Sequence, residues 1–244
     1  MLNKIIKSIP NTITSCNLLS GVVAIFFAFQ WTKSEDGIPY WEIFGGLRAY
    51  QWSMIAIFAA AIFDFCDGAS ARLLKAYSNI GAELDSLSDL VSFGVAPAML
   101  LLNTLLLITG GHWVSFVAFI IPVFGALRLA KFNVDTTQTT SFAGLPIPAN
   151  AIFWIGFVAW VMSHGRCLGV LWLIVIICFI SGLMVSNMRM FSLKFKNFKL
   201  KENFSRYVII LSAIVSVALY GVAGLMWTII LYIFISAVTK KYIA

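Results

Sequence analysis

Four aspartates at fixed intervals, Asp64, Asp67, Asp85 and Asp89, lie in a stretch that otherwise reads as membrane helix. Acidic side chains near a bilayer interior cost roughly 2.5–3.5 kcal/mol each on insertion scales. Four unpaired ones would cost on the order of 10 kcal/mol, comparable with the stability of a whole domain. Something cationic must sit among them.

The rest of the chain supports the membrane reading. Of its 244 residues 61% are hydrophobic and 11% charged, with a mean hydropathy of +0.94; soluble domains are nearer half apolar and a quarter charged. Eight helical spans are expected, at about 13–31, 51–72, 84–109, 113–130, 147–163, 168–187, 207–221 and 223–239, since several runs approach the ~20 residues that cross a hydrocarbon core. The last two form a helical hairpin divided by Gly221 and Gly224. The fold class is therefore all-α, a polytopic transmembrane helical bundle. No cleavable signal peptide is expected, because Pro10-Asn11 interrupts the basic start and no small-residue cleavage site follows the first span.

With eight spans both termini share a side. Fourteen basic residues fall on that side and three (Lys33, Arg48, Arg166) on the other, which places the termini and the acidic string in the cytoplasm of a multi-pass inner-membrane protein. The net charge of +7 is accounted for by this asymmetry, so no nucleic-acid partner is implied. The 189–206 loop holds six of the basic residues, with Lys-Phe-Lys-Asn-Phe-Lys-Leu-Lys from 194 to 201. Such a pattern suits anionic membrane lipids, and equally an ordinary positive-inside loop. Cys16, Cys66, Cys167 and Cys178 have no metal-type spacing and read as small apolar packers.

Asp64 and Asp67 are three apart at the cytoplasmic end of the second span; Asp85 and Asp89 are four apart at the start of the third. Each pair shares a helix face. A turn near Ala76–Ile80 would fold the two helices antiparallel and bring the acidic faces together. Clustered aspartate oxygens are hard ligands suited to Mg²⁺ or Mn²⁺, and four of them suit two such ions bridged by substrate phosphate. The two histidines, His112 and His164, map to the opposite side, which excludes a histidine-ligated zinc. Gly68 and Ala71 continue the acidic face with almost no side chain, which lets a bulky ligand approach or a helix pack closely. Arg72 can bind phosphate at the membrane edge, or snorkel as a topology signal. Intramembrane carboxylates also mark ion pathways in transporters. Here they cluster at one end, and no other expected span carries one, which favours catalysis.

The spacing Asp-x2-Asp-Gly-x2-Ala-Arg-x8-Gly-x3-Asp-x3-Asp resembles the signature of the CDP-alcohol phosphatidyltransferase family, met at Asp64, Asp67, Gly68, Ala71, Arg72, Gly81, Asp85 and Asp89. Further segments are similar to the family's phosphatidylserine synthase branch: Ile9 to Asn17, Asp89 to Pro97, Arg128 to Asn133, and Phe142 to Ala149. The resemblance covers about residues 8–190. It implies a six-helix membrane core over 1–190, followed over 191–244 by the basic loop and the C-terminal hairpin, and usually a homodimer.

For the site, the resemblance implies two divalent ions, Mg²⁺ or Mn²⁺, held by Asp64, Asp67, Asp85 and Asp89, with Asp89 also the proton acceptor. Asn11, Thr14, Gly68, Ala71, Arg72 and Ser78 would contact the CDP-diacylglycerol donor. The implied reaction joins the phosphatidyl group to L-serine and releases CMP. Inositol phosphate, glycerol 3-phosphate and choline are the acceptors of relatives with the same eight residues. A zwitterionic serine needs a cation for its carboxylate, and Arg128 and Lys131 are the basic residues at the cytoplasmic end of the fourth span; both also fit a topology role.

Overall fold

A computed structural model describes residues 2–33, 35–37, 39–134, 141–165, 168–191 and 200–238. Residues 192–199 of the basic loop, including Lys194, Lys196 and Lys199, lie outside them, as does Cys167. The architecture is helical, with three two-stranded ribbons among the described residues. Six helical stretches are long and apolar enough to cross a membrane: Ser8–Ala28, Ala49–Leu73, Asn79–Thr109, Trp113–Val134, Ile147–His164 and Asn203–Val238. The chain is an integral membrane protein.

The eight expected spans differ from these in two places. Val170–Val185, helix α7, has 16 residues, short of the ~20 that a perpendicular crossing needs. The apolar stretch Asn203–Val238 is broken at Gly221, whose φ of 59° ends α8 (Leu200–Tyr220); α9 (Gly224–Val238) packs back on α8. The expected hairpin is therefore present.

The backbone divides into two compact units, Met1–Leu129 and Ala130–Ala244. In the first, α1 (Leu2–Ala28) packs along α2 (Ala49–Leu73). Helix α1 begins well before the expected span and runs through Pro10. Three of its hydroxyls are satisfied within the helix: Thr12, Thr14 and Ser15 donate to the carbonyls of Ser8, Pro10 and Asn11. That is how hydroxyls are tolerated where water is scarce. The α1–α2 seam is built of small residues. Ala24, Ala28 and Ala60 are buried, and the Ser53 hydroxyl donates to the Ala24 carbonyl at 2.8 Å. Close backbone approach of this kind is the usual basis of helix association in lipid. Between the two helices, Trp31–Arg48 forms two short antiparallel ribbons rather than an irregular loop, and the Trp52 indole donates to the Phe44 carbonyl.

The turn expected near Ala76–Ile80 is present. Helix α2 ends at Leu73, Lys75 takes a φ of 50°, and α3 (Asn79–Asp89) starts from the Ser78 cap. The helix continues through a wider π segment, Leu90–Val95, into α4 (Ala96–Thr109). Pro97 has no N–H to offer the carbonyl four residues back, and the Ala96 N–H reaches Val91, five residues back. The long stretch is thus offset directly after Asp89.

The second unit holds the rest of α5 (Ile120–Val134), with α6 (Ile147–His164), α7, α8 and α9. Gly156 of α6 lies so close to the Met226 backbone of α9 that a Cβ would not fit. The buried Tyr232 hydroxyl of α9 donates to the Phe191 carbonyl at 3.0 Å. Gly144 and Leu145 lie over the C-terminal end of α7, with the Leu145 N–H donating to the Leu183 carbonyl.

Candidate metal and nucleotide site

The acidic faces of α2 and α3 meet. Carboxylate oxygens of Asp64, Asp67 and Asp85 all lie within 4.8 Å of one another. Asp67 is only 5% exposed. Two of the oxygens, Asp67 Oδ2 and Asp85 Oδ1, are buried with no hydrogen-bond donor. Buried carboxylate oxygens without partners are costly, and three carboxylates this close repel each other. A divalent cation removes both costs, and the all-oxygen donor set suits Mg²⁺ or Mn²⁺. The residues present therefore fit the expected group.

Asp89, one turn beyond Asp85, is outside that tight triad but feels the charge of Asp64, Asp85 and Asp67. Its carboxylate Oδ1 faces the side-chain amide of Asn17 at 3.4 Å.

Beside the acids is a cavity of about 210 Å³, walled by α1, α2 and the start of α3. The residues expected at the CDP group, Asn11, Thr14, Gly68, Ala71, Arg72 and Ser78, all line it, together with Asp67 and Asp85. Local structure explains several of these placements. Ser78 caps α3, its hydroxyl oxygen accepting from the Gly81 N–H at 3.0 Å. A side chain at Gly81 would meet Asn11 Oδ1 at 2.7 Å and Ser78 Oγ at 2.9 Å. Glycine there lets α1 close on the cap, which is a packing reason for the sixth signature position. Gly68 differs, because a Cβ would meet only the Arg72 guanidinium, at 3.6 Å. The fold leaves that space open.

Pro10, Ala76, Tyr77 and Ala82 also line the cavity. Of these only Tyr77 carries a polar group, its phenol, and nothing in the spacing singled it out.

The two residues expected at serine do not line it. Arg128 is buried in α5, 8% exposed. Lys131 belongs to the second unit, where its Nζ donates to Asn187 Oδ1 at 2.7 Å and reaches the Val185 carbonyl at the C-terminal end of α7. A cation there complements the helix dipole. The histidines lie outside the acidic cluster: His112 accepts from the Val114 N–H, and the His164 ring lies against Ser163 and Trp160.

The fold and site together are those of a helical membrane bundle with three clustered carboxylates that could hold a metal ion, beside a cavity lined by Asp67, Asp85 and Arg72. Residues 7–181 match the CDP-alcohol phosphatidyltransferase family, and the chain belongs to that family. Three relatives carry the name CDP-diacylglycerol–serine O-phosphatidyltransferase. The one from Mycobacterium leprae is 35% identical over 167 residues, 66% of this chain and 49% of the relative. That from Methanocaldococcus jannaschii is 40% identical over 131 residues, 53% and 62% of the two chains. That from Bacillus subtilis is 35% identical over 144 residues, 57% and 69%. The match thus spans about half the length of the mycobacterial relative.

Proposed function

We propose that the protein is a phosphatidylserine synthase, transferring the phosphatidyl group of CDP-diacylglycerol to the hydroxyl of L-serine and releasing CMP. The observation that carries the reading is the convergence of six expected donor-binding residues on one cavity with Asp67 and Asp85. The choice of serine is supported by the names of the relatives from three distant genera.

In this reading Asn11, Thr14 and Ser78 face the nucleotide, and Arg72 pairs with the pyrophosphate through charge-assisted hydrogen bonds. Gly68 and Ala71 leave room for the phosphates to approach α2. Asp64, Asp67, Asp85 and Asp89 hold two divalent ions, Mg²⁺ or Mn²⁺, which supply neutralising charge to the pyrophosphate when bound. A serine hydroxyl has too high a pKa to attack unaided, so Asp89 takes its proton as general base. The serine oxygen then bonds to the phosphorus that bears diacylglycerol, the bridging P–O bond breaks, and CMP leaves with its electron pair. Arg128 is the candidate partner for the serine carboxylate. The site faces the cytoplasm with both termini, and the protein works as a homodimer.

The test is CMP release by the purified chain in mixed micelles with CDP-diacylglycerol and Mg²⁺ or Mn²⁺. Serine is compared with inositol phosphate, glycerol 3-phosphate and choline. Serine-dependent release that is lost in Asp89→Asn supports the assignment. Release with a different alcohol moves the acceptor, and no release from folded protein overturns the enzyme reading.

A further inference from the structure

We infer that Asn17 is the positioning residue for Asp89, acting through a seam between α1 and the π segment; the inference rests on the role proposed for Asp89. Asn17 is 0% exposed, so it acts on the site through a neighbour and not by touching a ligand. Its amide Nδ2 faces Asp89 Oδ1 at 3.4 Å. One carboxylate oxygen is thereby engaged from the protein side and the other is left for the chemistry.

The seam holds Asn17 in place from both directions along α1. The Ser92 hydroxyl donates to the Asn17 main-chain carbonyl at 3.0 Å, and the Ser88 hydroxyl, which donates to the Leu84 carbonyl of its own helix at 2.7 Å, lies 3.3 Å from the Thr14 carbonyl. Gly21, one turn beyond Asn17, meets Ser92 so closely that a Cβ would not fit. Residues 14, 17 and 21 share one face of α1, so this face is keyed onto the helix that carries Asp89.

A π segment adjoins the arrangement. It begins at Leu90, immediately after Asp89. A π segment shifts the residues that follow it around the helix axis, and such segments occur often at functional sites. Ser92 lies within this segment and binds the main-chain carbonyl of the same residue that faces Asp89. A single buried side chain is thus tied at its backbone to the π segment and at its amide to the base.

Nothing in the amino-acid type demands this. A buried asparagine in a membrane helix is often satisfied by its own helix or by a neighbouring carbonyl. Its pairing with a carboxylate of the acidic cluster is what gives it a role, and hydrogen bonds in active sites before ligand binding are commonly as long as this one.

The test compares wild type with Asn17→Ala, Asn17→Asp, Asp89→Asn and the Asn17→Ala/Asp89→Asn double variant, all as full-length protein in detergent. Two readouts are taken: steady-state CMP release, and Mn²⁺ affinity by electron paramagnetic resonance without substrate. Asn17→Ala should lower kcat by 10- to 100-fold and keep the KM values for donor and alcohol within twofold. It should weaken Mn²⁺ binding by 3- to 10-fold. The double variant should bind Mn²⁺ no more weakly than Asp89→Asn does, because both changes remove one function. Asn17→Asp keeps the shape of the side chain and replaces the donor with a like charge, so it should lose at least as much kcat as Asn17→Ala.

The inference is overturned by an unchanged kcat, by a rise in KM without loss of kcat, or by losses of Mn²⁺ affinity in the double variant that add. Absence of CMP release in wild type would sink the proposed reaction instead. The Mn²⁺ comparison would then still decide whether Asn17 and Asp89 act as a unit.

Discussion

Gly68→Ala separates the ligand from the scaffold, because the two respond with opposite sign. A Cβ at Gly68 meets only Arg72 Nη1 at 3.6 Å, an ordinary van der Waals contact. Gly68 lies well inside α2, where alanine is favoured over glycine by about 1 kcal/mol. The ligand-free variant should therefore be at least as stable as wild type, with a thermal midpoint raised by up to about 4 °C. Donor binding should move the other way. The methyl group projects from the same stretch of cavity wall as Asp67, Ala71 and Arg72, where the proposed pyrophosphate must approach. Displacing one charge-assisted hydrogen bond costs about 1.5–3 kcal/mol, which corresponds to roughly 10- to 150-fold in affinity. Thermal scans in detergent with and without CDP and Mg²⁺, together with the KM for CDP-diacylglycerol, read both effects. A variant with wild-type donor KM would refute the placement of the pyrophosphate at α2. A fall of several degrees without ligand would refute the claim that the space is empty.

Gly81→Ala should do the reverse, lowering the midpoint in the absence of ligand. The added methyl would come within 3 Å of both Asn11 Oδ1 and Ser78 Oγ, and disturbing the cap on α3 costs about 1 kcal/mol; a midpoint equal to that of wild type would contradict the packing argument. Chelation by EDTA should abolish CMP release, with Mg²⁺ or Mn²⁺ restoring it and Na⁺ or K⁺ failing to, as the unpartnered oxygens of Asp67 and Asp85 require; activity that survives chelation would count against the metal reading. Lys131→Ala should lower the thermal midpoint through loss of the bond to Asn187 and leave the KM for serine within twofold, whereas Arg128→Ala should raise that KM more than the KM for the donor; a large rise in serine KM for Lys131→Ala would return Lys131 to the acceptor site.

The acidic cluster was legible in the sequence because two independent regularities agree on it. Helical spacing puts Asp64 with Asp67 and Asp85 with Asp89, and the turn between the helices brings the pairs into contact; the close approach of Asp64, Asp67 and Asp85 follows from local rules alone. The hairpin at the end was legible for a similar reason, since glycines flank the reversal. What spacing could not supply was the relation between elements distant in sequence. Asn17 is 72 residues from Asp89, and nothing in the stretch around it separates a satisfied membrane asparagine from one that holds a base. The π segment was equally hidden, because the offset it puts into the helix is one that no hydrophobic period records. Lys131 was a topology signal with no visible partner, and its partners lie more than fifty residues away, Asn187 at 56 and Val185 at 54. Spacing thus made legible the part of the site built by one helical hairpin, Ala49–Asp89; on α1, Asn11 and Thr14 came only from the family resemblance, and Asn17 had to be seen. That division has a consequence for the chemistry. Residues of the hairpin bear the charge, and α1 supplies Asn11, Thr14 and Asn17, uncharged groups that shape where the charge points. Changes in α1 should therefore alter rate and donor preference while the clustered aspartates of the hairpin remain in place.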